Sequence, residues 1–128
     1  KDIIAGKPVV VVDDYDRENE ADIILSAEKV TEYNMVFAMR HARGLMCLPC
    51  TADYLDDLEI PMQESNGLDA LGTPFSTSID AAKGITTGMS VFDRLKTIEI
   101  FRDKSSSPGD LAYPGHLRTK CYLRSRDL

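Results

Sequence analysis

The sequence predicts an α/β fold in which a mixed β-sheet packs with helices, and three observations carry that expectation. Two short unbroken apolar runs, residues 9–12 and 23–25, have the length of strands and lack polar alternation, as in strands covered on both faces. Two longer segments, from Thr31 to about Arg43 and from Ser90 to Phe101, space apolar residues three and four apart, as on a helix with one buried face. One stretch, residues 75–80, alternates with period two and reads as a strand. Strand-length and helix-length periods interleaved along one chain point to layered α/β architecture.

In chain order, residues 1–5 read as the last turn of a helix ended at Gly6, with Pro8 barring continuation. Val9, Val10, Val11 and Val12 then form the predicted interior strand. Thr31 caps a helix bearing Met35, Val36, Met39 and Ala42 on one face, stopped at Gly44; its methionines suit core packing better than a cofactor box. Residues 45–48 are a further brief strand containing Cys47, and a short helix over 53–58 leads into Ile60-Pro61-Met62. Residues 64–72 are polar and contain glycine, which marks an exposed loop or flap.

Phe75, Thr77 and Ile79 then alternate with Ser76, Ser78 and Asp80. Gly84-Ile85-Thr86-Thr87-Gly88 is a hydroxyl-rich turn. Ser90 and Asp93 make a capping box for a helix whose Val91, Leu95, Ile98 and Phe101 share one face, predicted to pack on the sheet that holds residues 9–12. Residues 104–110 form a hydrophilic connection into Tyr113-Pro114-Gly115-His116. The last stretch, 117–128, carries four cations and one anion and is open to reading as an extra strand or a disordered end.

A chain of 128 residues suits one domain with a real core, and 43% hydrophobic with 28% charged residues is globular rather than disordered. The net charge of −6 argues against a general nucleic-acid binder and leaves room for a phosphorylated small molecule in a locally basic pocket. No apolar run approaches the length of a membrane span, and no secretory signal is visible. Cys47, Cys50 and Cys121 fit neither a full disulfide framework nor a four-thiolate zinc site, so they read as reduced, mostly buried thiols of a cytoplasmic protein. The start at Lys1, without methionine, reads as a fragment or a processed product.

Candidate chemistry concentrates in residues 13–22, Asp-Asp-Tyr-Asp-Arg-Glu-Asn-Glu-Ala-Asp. Six carboxylates (Asp13, Asp14, Asp16, Glu18, Glu20, Asp22) surround one guanidinium, Arg17. Two like charges 4 Å apart repel by about 1 kcal/mol even in bulk water, so a divalent cation, Arg17 and a substrate would relieve the stretch. Taken alone, an acidic run reads equally as a solvated loop. Its place hard against apolar strands on both sides favours a site. A Thr-Thr-Gly turn or a single histidine in a turn is, by itself, a weak signal.

Three stretches together resemble one family. The acidic decapeptide resembles the signature loop of 3,4-dihydroxy-2-butanone 4-phosphate synthase, the riboflavin-pathway enzyme, typically D-D-x-D-R-E-N-E-G-D. Ala21 stands where glycine is usual, a change that matters only if the backbone there needs positive φ. Residues 84–94 are similar to the family's G-V-T-T-G-x-S-x-x-D-R, and Tyr113-Pro114-Gly115-His116 to its R-P-G-H, with Tyr113 in place of arginine. Their order and spacing make the resemblance specific through His116. Beyond it the family continues to R-x-G-H-T-E, whereas this chain has residues 117–128.

The resemblance implies one synthase-type domain over residues 1–128, incomplete at its C-terminal end, from a homodimeric lyase using magnesium or manganese. Its reaction would convert D-ribulose 5-phosphate into formate and 3,4-dihydroxy-2-butanone 4-phosphate. By resemblance Glu18 is the metal ligand and, with Arg17 and Asp22, contacts substrate. Glu20, which helps shape the acidic loop, and His116, which handles the proton, are the catalytic pair, and Thr86 and Thr87 offer donors to the substrate. Imidazole suits proton transfer near neutral pH, and magnesium suits a site of few carboxylates because it keeps its waters. In the family a second metal-binding histidine and a later glutamate lie in and after R-x-G-H-T-E. The alternative is a non-catalytic relative that serves as a folding or dimerisation module. One metal carboxylate and few cations beside six carboxylates predict weak substrate binding and little formate release by residues 1–128 alone.

Overall fold

A computed structural model describes residues 1–64, 67–68 and 72–121. Along the chain the elements are β1 (Val9–Val12), β2 (Ala21–Ile24), α1 (Glu32–His41), β3 (Cys47–Cys50), α2 (Ala52–Asp57), β4 (Ile79–Ala81), α3 (Val91–Arg102), a 3-10 turn (Pro108–Asp110) and β5 (Leu111–Cys121). They group into two compact units, Lys1–Gly44 and Leu45–Leu128.

In the first unit β1 and β2 form an antiparallel ribbon whose register runs from Val9 opposite Ile24 to Val12 opposite Ala21. Pairing draws Ala21 and Asp22 into β2, so this strand starts two residues earlier than the apolar run suggests. The expectation of an interior β1 is overturned: β2 is its one partner among the described residues, and Val10 and Val12 are 63% and 70% exposed. Valine favours extended backbone because its branched side chain stiffens χ1, whether or not the strand is covered. A run of valines therefore announces a strand without announcing burial.

Residues 1–6 make a single helical turn, closed by the Ala5 N–H on Lys1 O (3.2 Å) and the Gly6 N–H on Ile3 O (2.9 Å). Helix α1 begins at a reciprocal cap, in which Thr31 Oγ1 accepts from Asn34 N (3.4 Å) and Asn34 Oδ1 accepts from Thr31 N (2.7 Å). Asn34 Nδ2 also donates to Gly6 O (3.2 Å), tying helix to turn. The helix buries Met35 and Ala38. Its stop falls one residue before the predicted Gly44, with Arg43 at φ 57 beyond the Ala42 cap.

The second unit holds the predicted mixed sheet, in the order β3-β5-β4, with β3 parallel and β4 antiparallel to β5. Strand β3 lies two residues later than residues 45–48 because its register is set by β5, from Cys47 opposite Arg118 to Cys50 opposite Cys121. Helix α2 starts at Thr51, whose hydroxyl accepts from Tyr54 N (3.4 Å). The period-two stretch is regular strand only from Ile79, with isolated bridges at Phe75 and Ser76. There Ser76 is the buried residue, its N–H on Thr119 O (3.1 Å) and its hydroxyl bonded to that of Thr119.

Helix α3 packs on β4 and β5, so its predicted seat on the β1 sheet is also overturned. It buries Asp93, Thr97, Ile98 and Phe101, while Val91 and Leu95 are half-buried. The reason is polar: Thr97 Oγ1 accepts from Ala81 N (2.9 Å) and donates to Asp93 O (3.0 Å), locking the helix to β4 by hydrogen bonds that an apolar-spacing argument misses. Leu48, Leu55, Leu58, Ile60, Ile79, Leu111 and Leu117 fill the core, each stabilising by roughly 1.5–3 kcal/mol. The Tyr54 hydroxyl donates to Phe101 O, and the two rings meet edge to face at 5.3 Å.

Residues 117–121 of the basic stretch belong to β5, and 122–128 lie outside the described residues, as do 65, 66 and 69–71 of the expected flap. Cys47, Cys50 and Cys121 are half-buried where the sequence suggests burial. Burial pushes the Cys50 thiol up to about 11, so it stays protonated. Among the described residues no helix is long and apolar enough to cross a membrane.

Candidate functional site

Asp13 organises the acidic loop of the first unit. Its Oδ1 accepts from Asp14 N (2.9 Å) and its Oδ2 from Glu18 N (3.1 Å), while Arg17 Nε lies 2.6 Å from the same Oδ2. Arg17 Nη2 donates to Glu18 Oε2 at 3.0 Å. Asp14 O receives the N–H groups of Arg17 (3.1 Å) and Asn19 (3.3 Å), and Asn19 at φ 51 turns the chain back toward β2. Asparagine tolerates that left-handed conformation better than most residues. The Asp13 N–H closes the loop on Glu20 O (2.9 Å). The hydrogen-bonded Arg17 guanidinium holds the Asp13 carboxyl below its usual value, so the loop keeps its central anion ionised.

Ala21 sits in extended backbone opposite Val12, so the position usual for glycine needs no positive φ here. Arg17 and Glu18 are thus brought together as the sequence suggests, with Asp13 as the unanticipated hub. Glu20 contributes its carbonyl, and Asp22 lies exposed on β2. Among the described residues no three His, Cys, Asp or Glu side chains converge into a metal-holding group. The hard oxygens of the loop nevertheless suit magnesium, which takes one or two carboxylates and retains water, and the Glu18 carboxylate is one that could hold it.

In the second unit the geometry centres on His116. The β4–β5 ladder jumps from Ile79 opposite Leu117 to Asp80 opposite Ala112, so residues 113–116 are looped out of the pairing. Gly115 N returns the loop to Ser78 O at 2.8 Å. A Cβ on Gly115 would strike the backbone of Ile79 and Asp80, so glycine is what lets the loop lie flat on β4. His116 N donates to Asp80 Oδ1 (3.0 Å), and His116 Nδ1 lies 2.7 Å from Asp80 Oδ2. Asp80 is buried, whereas the imidazole is 37% exposed.

Residues 84–94 fold over this pair. Asp93 accepts from Thr86 Oγ1 (2.7 Å), Thr86 N (3.0 Å) and Gly88 N (3.0 Å), and these bonds, the Thr86 hydroxyl first, lower its carboxyl to about 2. The expected capping box is half made: Ser90 Oγ accepts from Asp93 N (3.1 Å), but the Asp93 side chain serves the turn. Gly88, at φ +87, is so close that a Cβ would come within 2.6 Å of His116 Nδ1 and nearer still to Asp80 Oδ2. Thr86 has its hydroxyl turned to Asp93, which leaves Thr87 as the exposed hydroxyl of the turn.

The match to known proteins runs the length of this geometry. The family model for 3,4-dihydroxy-2-butanone 4-phosphate synthase covers residues 1–126. The chain belongs to the 3,4-dihydroxy-2-butanone 4-phosphate synthase family. It is 44% identical over 115 residues to the synthase of Agrobacterium fabrum, covering 90% of this chain and 54% of that protein. It is also 44% identical over 116 residues to the riboflavin biosynthesis protein RibBA of Phocaeicola vulgatus, covering 91% of this chain and 29% of the relative. The structure matches a crystal structure of a 3,4-dihydroxy-2-butanone 4-phosphate synthase in complex with two magnesium ions, with a TM-score of 0.87 and 36% identity over 94% of this chain and 56% of that one. A two-domain synthase from A. baumannii matches with a TM-score of 0.85. The chain therefore spans about half or less of these relatives.

Asp80, outside the synthase-family motifs, and Asp93 and Gly88, within one of them, acquire roles other than those the sequence suggested. Asp80 read as the polar side of a strand, Asp93 as a helix cap and Gly88 as a flexible turn. The available signal was a carboxylate just ahead of a Thr-Thr-Gly turn, with a histidine following at a strand-to-strand distance.

Proposed function

We propose that this chain carries the substrate-holding and proton-transfer residues of a lyase that converts D-ribulose 5-phosphate into formate and 3,4-dihydroxy-2-butanone 4-phosphate. The observation that supports it is family membership over residues 1–126 with Arg17, Glu18 and His116 all in motif positions. Enolising the sugar needs a group that takes a proton from the carbon next to the carbonyl, and His116, whose backbone and ring are both bonded to Asp80, takes that role in this reading. Arg17, with Asp22, addresses the substrate's oxygens, and Glu20 shapes the loop around them. Thr87 and the backbone of its turn offer further donors, with Thr86 acting through the turn. Magnesium or manganese, held by Glu18, supplies Lewis-acid stabilisation of vicinal oxygens when bound. The working form is a cytoplasmic homodimer.

The test is deuterium uptake at the carbon next to the carbonyl of ribulose 5-phosphate, run in heavy water with magnesium beside a formate assay. Uptake is expected even where formate release is small, and His116→Gln is expected to remove it. A protein with neither uptake nor formate release would instead be the non-catalytic module.

A further inference from the structure

We propose that Asp80 is the positioning residue of this site: it fixes the neutral His116 proton on Nδ1 and so leaves Nε2 as the nitrogen that takes up a proton. An ionised carboxylate has acceptor oxygens only, so the 2.7 Å contact makes Nδ1 the donor. The other oxygen of the same carboxylate receives the His116 N–H at 3.0 Å, so one side chain fixes the ring and the backbone that bears it. Asp80 is itself held: its neighbour Ala81 is bonded to Thr97 Oγ1 (2.9 Å), and Gly115 N is bonded to Ser78 O (2.8 Å). The Gly88 backbone lies against the pair, with no room for even a methyl group. A ring on an exposed turn without these contacts would exchange its proton between the two nitrogens.

The effect on rate rests on the reading of His116 as the proton-transfer group, whereas the tautomer does not. The chain has two histidines, His41 and His116, so the spectrum of His116→Gln assigns the ring signals of each. Long-range proton–nitrogen spectra at a pH where imidazole is neutral are expected to show His116 as the Nδ1–H form. Asp80→Asn keeps the shape and an oxygen for the His116 N–H but turns an NH2 group toward Nδ1, and it is expected to convert the ring to the Nε2–H form. The same variant is expected to slow magnesium-supported deuterium uptake by roughly a hundredfold to ten-thousandfold while changing KM little.

An Nε2–H ring in the unaltered protein overturns the proposal, and that spectrum decides even if the variant fails to fold. A ring still Nδ1–H in folded Asp80→Asn, or full activity with a converted ring, overturns it as well. An unaltered protein without catalysis counts against the reaction assigned to this family member, and the two spectra then decide the role of Asp80 alone.

Discussion

Asp13 and Asp93 do the same job in different units, each drawing backbone N–H groups and a side chain of its own loop onto one carboxylate. Charge-assisted hydrogen bonds of this kind are roughly twice as strong as neutral ones, so removing the acceptor releases several groups at once. Asp93→Ala is expected to speed amide exchange at Thr86 and Gly88 while slow exchange in β5 persists, and unchanged rates at both amides would refute its role in the turn. Glu18 has a different character, since its carboxylate meets Arg17 at the surface of the loop and retains acceptor capacity for a cation. If the chain is a competent synthase, Glu18→Gln is expected to abolish magnesium-dependent deuterium uptake with the circular dichroism spectrum unaltered; undiminished uptake would contradict the metal assignment.

Among the elements, the turn before α3 is the most constrained. Gly88→Ala must place a non-glycine residue at φ +87, which costs about 1–2 kcal/mol before any overlap. It must also push its methyl into Asp80 and His116, so stability measured by urea is expected to fall by more than that amount and the His116 ring signals to move. The cap of α1 is simpler, and Thr31→Ala is expected to cost about 1 kcal/mol. How legible these elements are in the sequence depends on what the local residues decide. Thr31, Thr51 and Ser90 cap helices because a hydroxyl meets N–H groups within its own turn, and such signals need no distant partner. The bounds of β3, the exposure of β1 and the seat of α3 depend on pairing with segments far along the chain, which no local period encodes. For the candidate site, Arg17, Glu18 and His116 were visible as motif positions, but the Asp80–His116 pair was hidden because a register jump between two strands creates it.

At the scale of the whole molecule, charge acts in two opposed ways. The net charge of −6 is diffuse repulsion, which eases as acid neutralises carboxylates and is screened beyond about 8 Å at physiological salt. Against it stand four carboxyls whose values are lowered by bonds made only in the fold: Asp13 by Arg17, Asp93 by Thr86, and Asp103 and Asp110 by the backbone N–H groups of Ser105 and Ser107. A carboxyl whose folded value lies below its unfolded one stabilises the fold fully above the unfolded value, and that stability is lost as pH falls through the folded value. The unfolded value is near 3.8 and that of Asp93 in the fold is about 2, so the loss falls between about pH 4 and pH 2. Stability measured by urea denaturation is therefore expected to be level or slightly rising from pH 7 to pH 5 and to drop below pH 4. Added salt is expected to flatten the upper limb and leave the acid drop in place, because the bonds responsible are direct contacts of about 3 Å. Asp93→Asn is expected to be less stable at neutral pH and to show a shallower drop; a drop just as deep in Asp93→Asn, and abolished by salt in both proteins, would mean that the net positive charge gained below the isoelectric point near 4.8, not these hydrogen-bonded carboxylates, governs the response to acid.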